Sequence, residues 1–381
     1  MTETPRTTRA GARLDSLDVC RGVLLVVSVS VNAWFTAPEW FEHAPWIGVH
    51  PVDLVFPSFV AASGAGMAIA FARRMPVARQ VRRIVVLTLA GLAYNAAAQG
   101  LSTGGVDVTT WRVTGVLQLY AVLVLALGLG AGIVRRWWHW LAAAGMVSVL
   151  QTAVLVVGAH SCPGGALTTA CNPSGVVDAA VFGAHMYAGG RLGHDPEGLV
   201  AAAGALVTAL VGAAAGRLMW EHRRGRTTAA FGRSVLLLAA ATLVATRASG
   251  LLVDPFKRLW TAPFGWGVGG VVAVALLLAH LALDARSPAL AERAVRYPLV
   301  ALGRNSLLVY FGSHLVTMVA THTGPAGGVP VDGASWAQVW QADTGRLVGA
   351  PGAAWPLCVV AVLAWTTLAV VLHRRGWYLR A

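Results

Sequence analysis

Ten mostly apolar stretches dominate this chain, near 19–36, 52–72, 82–99, 114–134, 138–158, 198–219, 232–248, 264–283, 298–320 and 353–373. Most reach the ~20 residues an α-helix needs to cross a bilayer. In lipid a helix is also the element that satisfies its own backbone hydrogen bonds. The implied fold class is all-α, a polytopic integral membrane helix bundle with about ten transmembrane helices. The third and seventh stretches are the weakest, because the runs from Ile84 to Ala93 and from Val235 to Thr246 are short and flanked by arginines. With 56% hydrophobic and 12% charged residues and a mean hydropathy of +0.64, the chain lacks the polar surface of a soluble globule of its size.

The net charge of +13 marks orientation rather than a nucleic-acid partner. The basic residues concentrate in the first tail (Arg6, Arg9, Arg13, Arg21), the 73–83 loop, Arg135 and Arg136, and the segments 217–233, 286–296 and 374–380. The positive-inside rule puts all of these, and both termini, in the cytoplasm. The first apolar run is followed by further spans and reads as an uncleaved signal anchor. The chain reads as one transmembrane domain, 1–381, with a cytoplasmic tail at 1–18, a short external loop at 37–51 and longer external loops at 159–197 and 322–352. The short basic loops serve topology and could also draw a polyanion such as a CoA nucleotide. Cys162 and Cys171 share an external loop, where an oxidising compartment permits a disulfide. Their spacing is compatible with a bridge without establishing it. Cys20 and Cys358 read as packing residues.

Polar residues at membrane edges carry the functional signal. The stretch from His43 to Pro57 places a histidine and Asp53 where the chain leaves and re-enters the membrane. An aspartate at a helix centre costs roughly 2.5–3.5 kcal/mol on insertion scales, so Asp53 should face protein or water. Read from the residues alone, His43 is first an interfacial loop histidine, and Asp53 is also a helix N-cap, a role compatible with catalysis. The rim Arg13-Leu-Asp15-Ser-Leu-Asp18-Val-Cys-Arg21-Gly22 reads as an interfacial ion-pair cluster. Arg112 and Lys257 suit lipid headgroups, and Asn305 with Ser306 suits interhelical hydrogen bonding. Asp195-Pro196-Glu197 has the form of a cap and first turn for the sixth span.

These segments, in order, carry a resemblance. The rim motif precedes Asn32, His43-Ala-Pro-Trp46-Ile-Gly48 and Asp53-Leu-Val-Phe-Pro57. Then come Arg112-Val-Thr-Gly115-Val-Leu-Gln118, Cys162-Pro-Gly-Gly165, His185-Met-Tyr187, Asp195-Pro-Glu197-Gly-Leu199, Pro255-Phe-Lys257-Arg-Leu-Trp260-Thr261 and Gly303-Arg-Asn305-Ser306-Leu-Leu-Val-Tyr310. Over nearly the whole chain they resemble the transmembrane acyltransferases typified by heparan-alpha-glucosaminide N-acetyltransferase. Ile47, Leu119 and Arg304 stand where that family's segments often carry Asn, Arg and Met.

The resemblance implies an acyl-CoA-dependent N-acetyltransferase. It moves acetyl from cytoplasmic acetyl-CoA, the donor substrate, to an amine of a glucosamine-type sugar or glycan on the far side. His43 is then the catalytic base, since imidazole with a pKa of ~6.5 suits that task near neutrality. Alternatively it is a nucleophile that carries the acetyl group. Asn32 would donate to the developing oxyanion, and Asp53 would orient the imidazole. Arg21, Arg112, Gln118, Lys257, Asn305 and Ser306 fall to cofactor binding, and Trp46, His185, Asp195 and Glu197 to the acceptor. The other histidines, His314 among them, receive no role. Metal is not expected, for no H-E-x-x-H or paired C-x-x-C spacing occurs. The implied location is a bacterial plasma membrane, with membrane lipid around the bundle and a homodimer left open. O-acylation of a cell-surface glycan on the same fold, and a small-molecule transporter, are the competing readings.

Overall fold

The structure, a computed structural model, describes residues 14–35, 37–284, 290–322, 335–349 and 355–379. The described residues form α1 (Asp15–Ala33), α2 (Val55–Ala72), α3 (Val77–Thr103), α4 (Val116–Ala131), α5 (Trp137–His160), α6 (Pro173–Phe182), α7 (Leu199–Arg223), α8 (Thr228–Gly250), α9 (Ala262–Leu283), α10 (Leu290–Arg304), α11 (Ser306–Thr321), α12 (Trp336–Leu347) and α13 (Trp355–Arg374). Among these residues there is no β-strand, only an isolated parallel bridge between Gly48 and Phe256.

Among the described residues, eight helices are long and apolar enough to cross a membrane: α1, α2 with its preceding turn from Pro51, α3, α5, α7, α8, α9 and α13. Two shorter apolar helices, α4 and α11, complete the set. The third and seventh stretches, expected to be the weakest, form helices of 27 and 23 residues. Their flanking arginines are helical too, Arg79, Arg82 and Arg83 near the start of α3 and Arg233 and Arg247 toward the two ends of α8, so each helix continues past its apolar run. The shorter helices are instead the fourth and ninth. The stretch 298–320 divides at Asn305, where the backbone leaves helical geometry (φ −107°, ψ 23°) and α10 gives way to α11. Much of the proposed 322–352 loop, and the tail arginines Arg6, Arg9 and Arg13, lie outside the described residues. The described part of that loop includes α12, which opens on a Ser335 capping box with Gln338, a start signal that satisfies two free backbone N–H groups at once.

The centre of the bundle is α7, packed against α2, α5 and α9. Its Ala205, Val207, Val211, Ala213, Ala214 and Leu218 are fully buried. Without a hydrophobic drive between helices in lipid, close approach of small residues supplies the packing. Added Cβ atoms at Gly64 and Gly212 would meet the carbonyl oxygens of Ala209 and Ala61 at 2.0 Å, so α2 and α7 touch backbone to backbone. The opposite pattern marks the periphery, where Leu89, Val149, Val157, Leu236, Val244 and Val271 are exposed, as suits contact with hydrocarbon. Leu14 and Leu379, near the two described chain ends, both line one cavity with Arg73, Arg74 and Arg79. Helix α2 begins just after Asp53 and is capped at its other end by Arg73, which sets two ends of the bundle apart. One end carries the arginine-rich turns and the other carries His43.

Candidate functional site

At the His43 end, four N–H donors converge on one buried carboxylate. Asp53, 1% exposed, lies 2.7 Å from His43 Nδ1 and 3.0 Å from Lys257 Nζ through the same oxygen, Oδ1. Its Oδ2 accepts from Ala44 N at 3.1 Å and His50 N at 2.9 Å. The His50 contact fixes the turn that starts α2, the side chain reaching back to the N–H of the residue before the first turn. A carboxylate has about four acceptor sites, and all are used here by donors. The neutral His43 imidazole therefore carries its proton on Nδ1 and leaves the Nε2 lone pair available. His43 remains open to solvent, its side chain 56% exposed.

Lys257 is 214 residues from His43 in sequence, and local structure brings them together. Gly48 takes a left-handed φ of 100°, which glycine tolerates at no steric cost, and bridges to Phe256. The 254–261 turn is held by Thr261, whose hydroxyl accepts from Phe256 N and donates to Asp254 O. Gln151 of α5 donates to the carbonyls of Leu259 and Trp260. Buried Trp260 has φ 48°, a conformation costing of order 1–3 kcal/mol in a non-glycine residue and held by this clamp. The ammonium of Lys257 is thereby aimed at Asp53 and reaches 3.1 Å from His43 Nδ1.

Beside this trio stands a second matched cluster. Arg112 donates to Asp195 Oδ1 at 2.9 Å and Glu197 Oε2 at 2.6 Å and lies 4.6 Å over the ring of Tyr187. Burial works against its charge, but Glu197 and Asp195 outweigh it and hold the guanidinium above its usual range. Asp195 is fully buried and also accepts from Thr114 Oγ1 and Tyr187 N. It does not cap the following helix. The N-cap of α7 is Gly198, and the carboxylate meeting Leu199 N is Asp178, at 2.7 Å. His185 Nδ1 is 2.9 Å from Trp111 O. Trp46 donates to Leu167 O and packs on His194 and Phe256. Cys162 and Cys171 are disulfide-bonded, with Cα atoms 5.7 Å apart, closing the loop that carries this wall.

Below the His43 end runs a cavity of about 790 Å³. Arg21, Arg73, Arg74, Arg79, Arg83 and Arg304 line it, with Asp18 as the one carboxylate among the described lining residues. Its walls continue through Phe59, Tyr120, Tyr310 and Phe311 to Phe56, three residues after Asp53. From Arg73 to Phe56 along α2 is roughly 25 Å at about 1.5 Å per residue. The buried Nε atoms of Arg83 and Arg304 lack a hydrogen-bond partner. Such orphaned donors cost about 1–3 kcal/mol each in a closed protein, and an anion in the cavity would satisfy them.

The expected site residues thus do not form one cluster. His43, Asp53 and Lys257 meet at one end, and Arg112, Asp195 and Glu197 pair nearby. Arg21 and Ser306 line the cavity. Asn32 spends one amide hydrogen on Ser313 Oγ at 3.1 Å. Gln118 lies against Gly91 between α3 and α4, with both amide atoms buried and unpartnered. Asn305 turns back to Ala301 O and Ala369 O at the α10–α11 break. The cavity arginines 73, 74, 79, 83 and 304 were not singled out from sequence. The signal for most of them was the arginine density of the 73–83 segment, read as a topology marker that could also draw a polyanion, with no single arginine assigned a role.

No family model matches the chain. Over 367 residues it is 22% identical to heparan-alpha-glucosaminide N-acetyltransferase of Mus musculus, across 82% of this chain and 55% of that protein. A 66-residue segment is 41% identical to the Homo sapiens protein of the same name, covering 16% of this chain and 10% of that protein. The chain spans about half the length of the first of these relatives. The likeness is weak but extended, and it supports the relationship drawn from the ordered motifs.

Proposed function

We propose that this chain is a membrane-embedded acetyltransferase that passes an acetyl group from acetyl-CoA, held in the arginine-lined cavity, to an amine of a glucosamine-type acceptor at the His43 end. The observation that carries this reading is the continuity of one cavity from six guanidiniums to the aromatic floor beneath Asp53. Acetyl-CoA is a polyanion with a long uncharged arm ending in a thioester. Its phosphates suit the arginines, whose planar guanidiniums form charge-assisted bonds to phosphate oxygens. The aromatic walls suit the arm. The arginine-rich end is the cytoplasmic one by the positive-inside rule, so the donor enters from the cytoplasm and the acceptor from outside a bacterial plasma membrane.

At the far end, His43 offers Nε2 to the chemistry while Asp53 holds Nδ1. Lys257 balances the carboxylate, so the trio with a neutral imidazole carries no net charge. The remaining amide hydrogen of Asn32 is suited to the thioester oxygen as charge develops on it. Asp195 is spent on structure, whereas Glu197 keeps Oε1 unbonded and suits an acceptor's ammonium or hydroxyl groups. The similarity to a protein named for N-acetyl transfer to heparan glucosaminide supports an amino sugar as acceptor class.

The test is transfer of radiolabelled acetyl from acetyl-CoA to a panel of glucosamine-containing acceptors by purified protein in detergent. Labelled acetyl-amino sugar is the expected product. Labelled esters without amides would redirect the reading to O-acylation, and failure to bind acetyl-CoA at all would overturn it in favour of transport.

A further inference from the structure

Resting on the reading of His43 as the acyl-transfer histidine, we propose that His314 is a second catalytic histidine, which takes the proton from the acceptor nitrogen while His43 carries the acetyl group. With Nδ1 of His43 committed to Asp53 at 2.7 Å, one nitrogen remains. That nitrogen cannot hold the acyl group and receive the acceptor's proton at the same moment. A covalent route at His43 therefore needs a separate base nearby.

His314 meets the requirement by position. It lies in α11, two turns past the break at Asn305, and its ring packs 5.1 Å from that of Tyr310, which lines the cavity. Its chain neighbour Ser313 is hydrogen-bonded to Asn32 in the last turn of α1, from which the chain runs on into the loop that carries His43. The register of α11 against α1 is pinned on both sides of His314. Asn32 Nδ2 donates to Ser313 Oγ, and Thr317 Oγ1 donates to Asn32 O at 3.0 Å. No hydrogen bond to a described residue occupies either ring nitrogen of His314. Four other ionisable groups of the site are each committed at least in part: Asp53 to four donors, Lys257 to Asp53, Arg112 to two carboxylates, and Glu197 to Arg112.

The chemistry closes in two steps. In the first, His43 Nε2 attacks the thioester carbonyl, the C–N bond forms, the C–S bond breaks, and the thiolate leaves to take a proton from water at the arginine end. In the second, the acceptor nitrogen attacks the same carbonyl carbon. The new C–N bond forms, the bond to His43 Nε2 breaks and returns its lone pair, and the acceptor's proton passes to His314, then to external water.

The two steps can be read separately. Exchange of labelled CoA into acetyl-CoA requires the first alone, whereas transfer to glucosamine requires both. For His314→Asn, exchange should stay within about threefold of wild type while transfer falls roughly 10²-fold or more, the usual worth of a positioned base. In His314→Gly, added imidazole should restore part of the transfer, and the rescue should rise with pH as imidazole loses its proton. Normal transfer by His314→Asn would overturn the assignment. So would a lack of imidazole rescue in a His314→Gly protein that still exchanges CoA. If the wild type itself shows no exchange, the covalent role of His43 fails and the assignment with it. Loss of acetyl transfer altogether by wild type would instead strike the proposed function.

Discussion

The two ends of the bundle handle charge in opposite ways. At the His43 end, Asp53 is enclosed by four donors and Arg112 by two carboxylates. At the other end, six arginines line one cavity with a single carboxylate among its described residues. A charge set balanced within the protein can be held rigid out of water and hold an imidazole in one orientation. An unbalanced set is complete only when an anion enters. Position in the bundle separates these roles better than residue type does, for Lys257 and Arg112 have the same formal charge as Arg79 and belong to the balanced end.

The sharpest way to break this contrast is His43→Ala. Transfer should fall by roughly 10²–10⁴-fold, the range for removing a positioned acid–base group, and by more if the histidine carries the acyl group. Acetyl-CoA binding measured by calorimetry should stay within about twofold of wild type. A parallel loss of binding would show that the two ends do not divide the work.

Arg74→Gln and Arg79→Gln should produce the complementary result. Each should weaken acetyl-CoA binding about tenfold, equivalent to about 1.4 kcal/mol, raise KM and leave kcat nearly unchanged. Binding by wild type should fall with added salt, since these guanidiniums border solvent and are screened. A fall in kcat at unchanged KM would place them with the chemistry instead.

The disulfide-closed wall should matter for stability rather than turnover. Cys162→Ser and Cys171→Ser should lower the thermal midpoint equally, by the equivalent of about 2–3 kcal/mol for a short loop. Unequal shifts would mean that one cysteine contributes by packing alone.

The smallest effect is a pH dependence in the same wall. His194 is 1% exposed, and its imidazole is pushed below the usual histidine range by burial, with Arg258 adding to the shift. The unfolded chain therefore binds a proton near its ordinary pKa of ~6.5 that the folded chain resists. Stability should fall as pH drops from ~6.5 toward the lower folded value. His194→Gln should flatten that part of the profile in thermal unfolding, and an unchanged slope would remove His194 as its source.

Much of this architecture was legible in the chain. Apolar length located the helices, because lipid forces the backbone to satisfy itself within each span. The break at Asn305 was not legible, since one asparagine inside the apolar run 298–320 changes its hydropathy little, and only the carbonyls of Ala301 and Ala369 show where its amide goes. For the site, His43 and Asp53 were visible because both fall in one loop. The partnership of Asp53 with Lys257 depends on the Gly48–Phe256 bridge, a tertiary contact with no periodic signature. Asp195 read as a helix start because Asp-Pro-Glu has that form, yet its carboxylate is drawn to Arg112 and Thr114, and Asp178 from the preceding helix meets α7. His314 had no motif around it, and its interest arises only from the packing of α11 against α1.

The most direct test of the central claim, that one cavity delivers an acetyl group from the arginine end to the His43 end, uses sealed proteoliposomes of defined protein orientation. Labelled acetyl-CoA is supplied only at the arginine face and glucosamine acceptor only at the His43 face. Labelled N-acetyl product should form on the His43 side, with free CoA remaining on the arginine side. Product formed only when donor and acceptor share one compartment would contradict it.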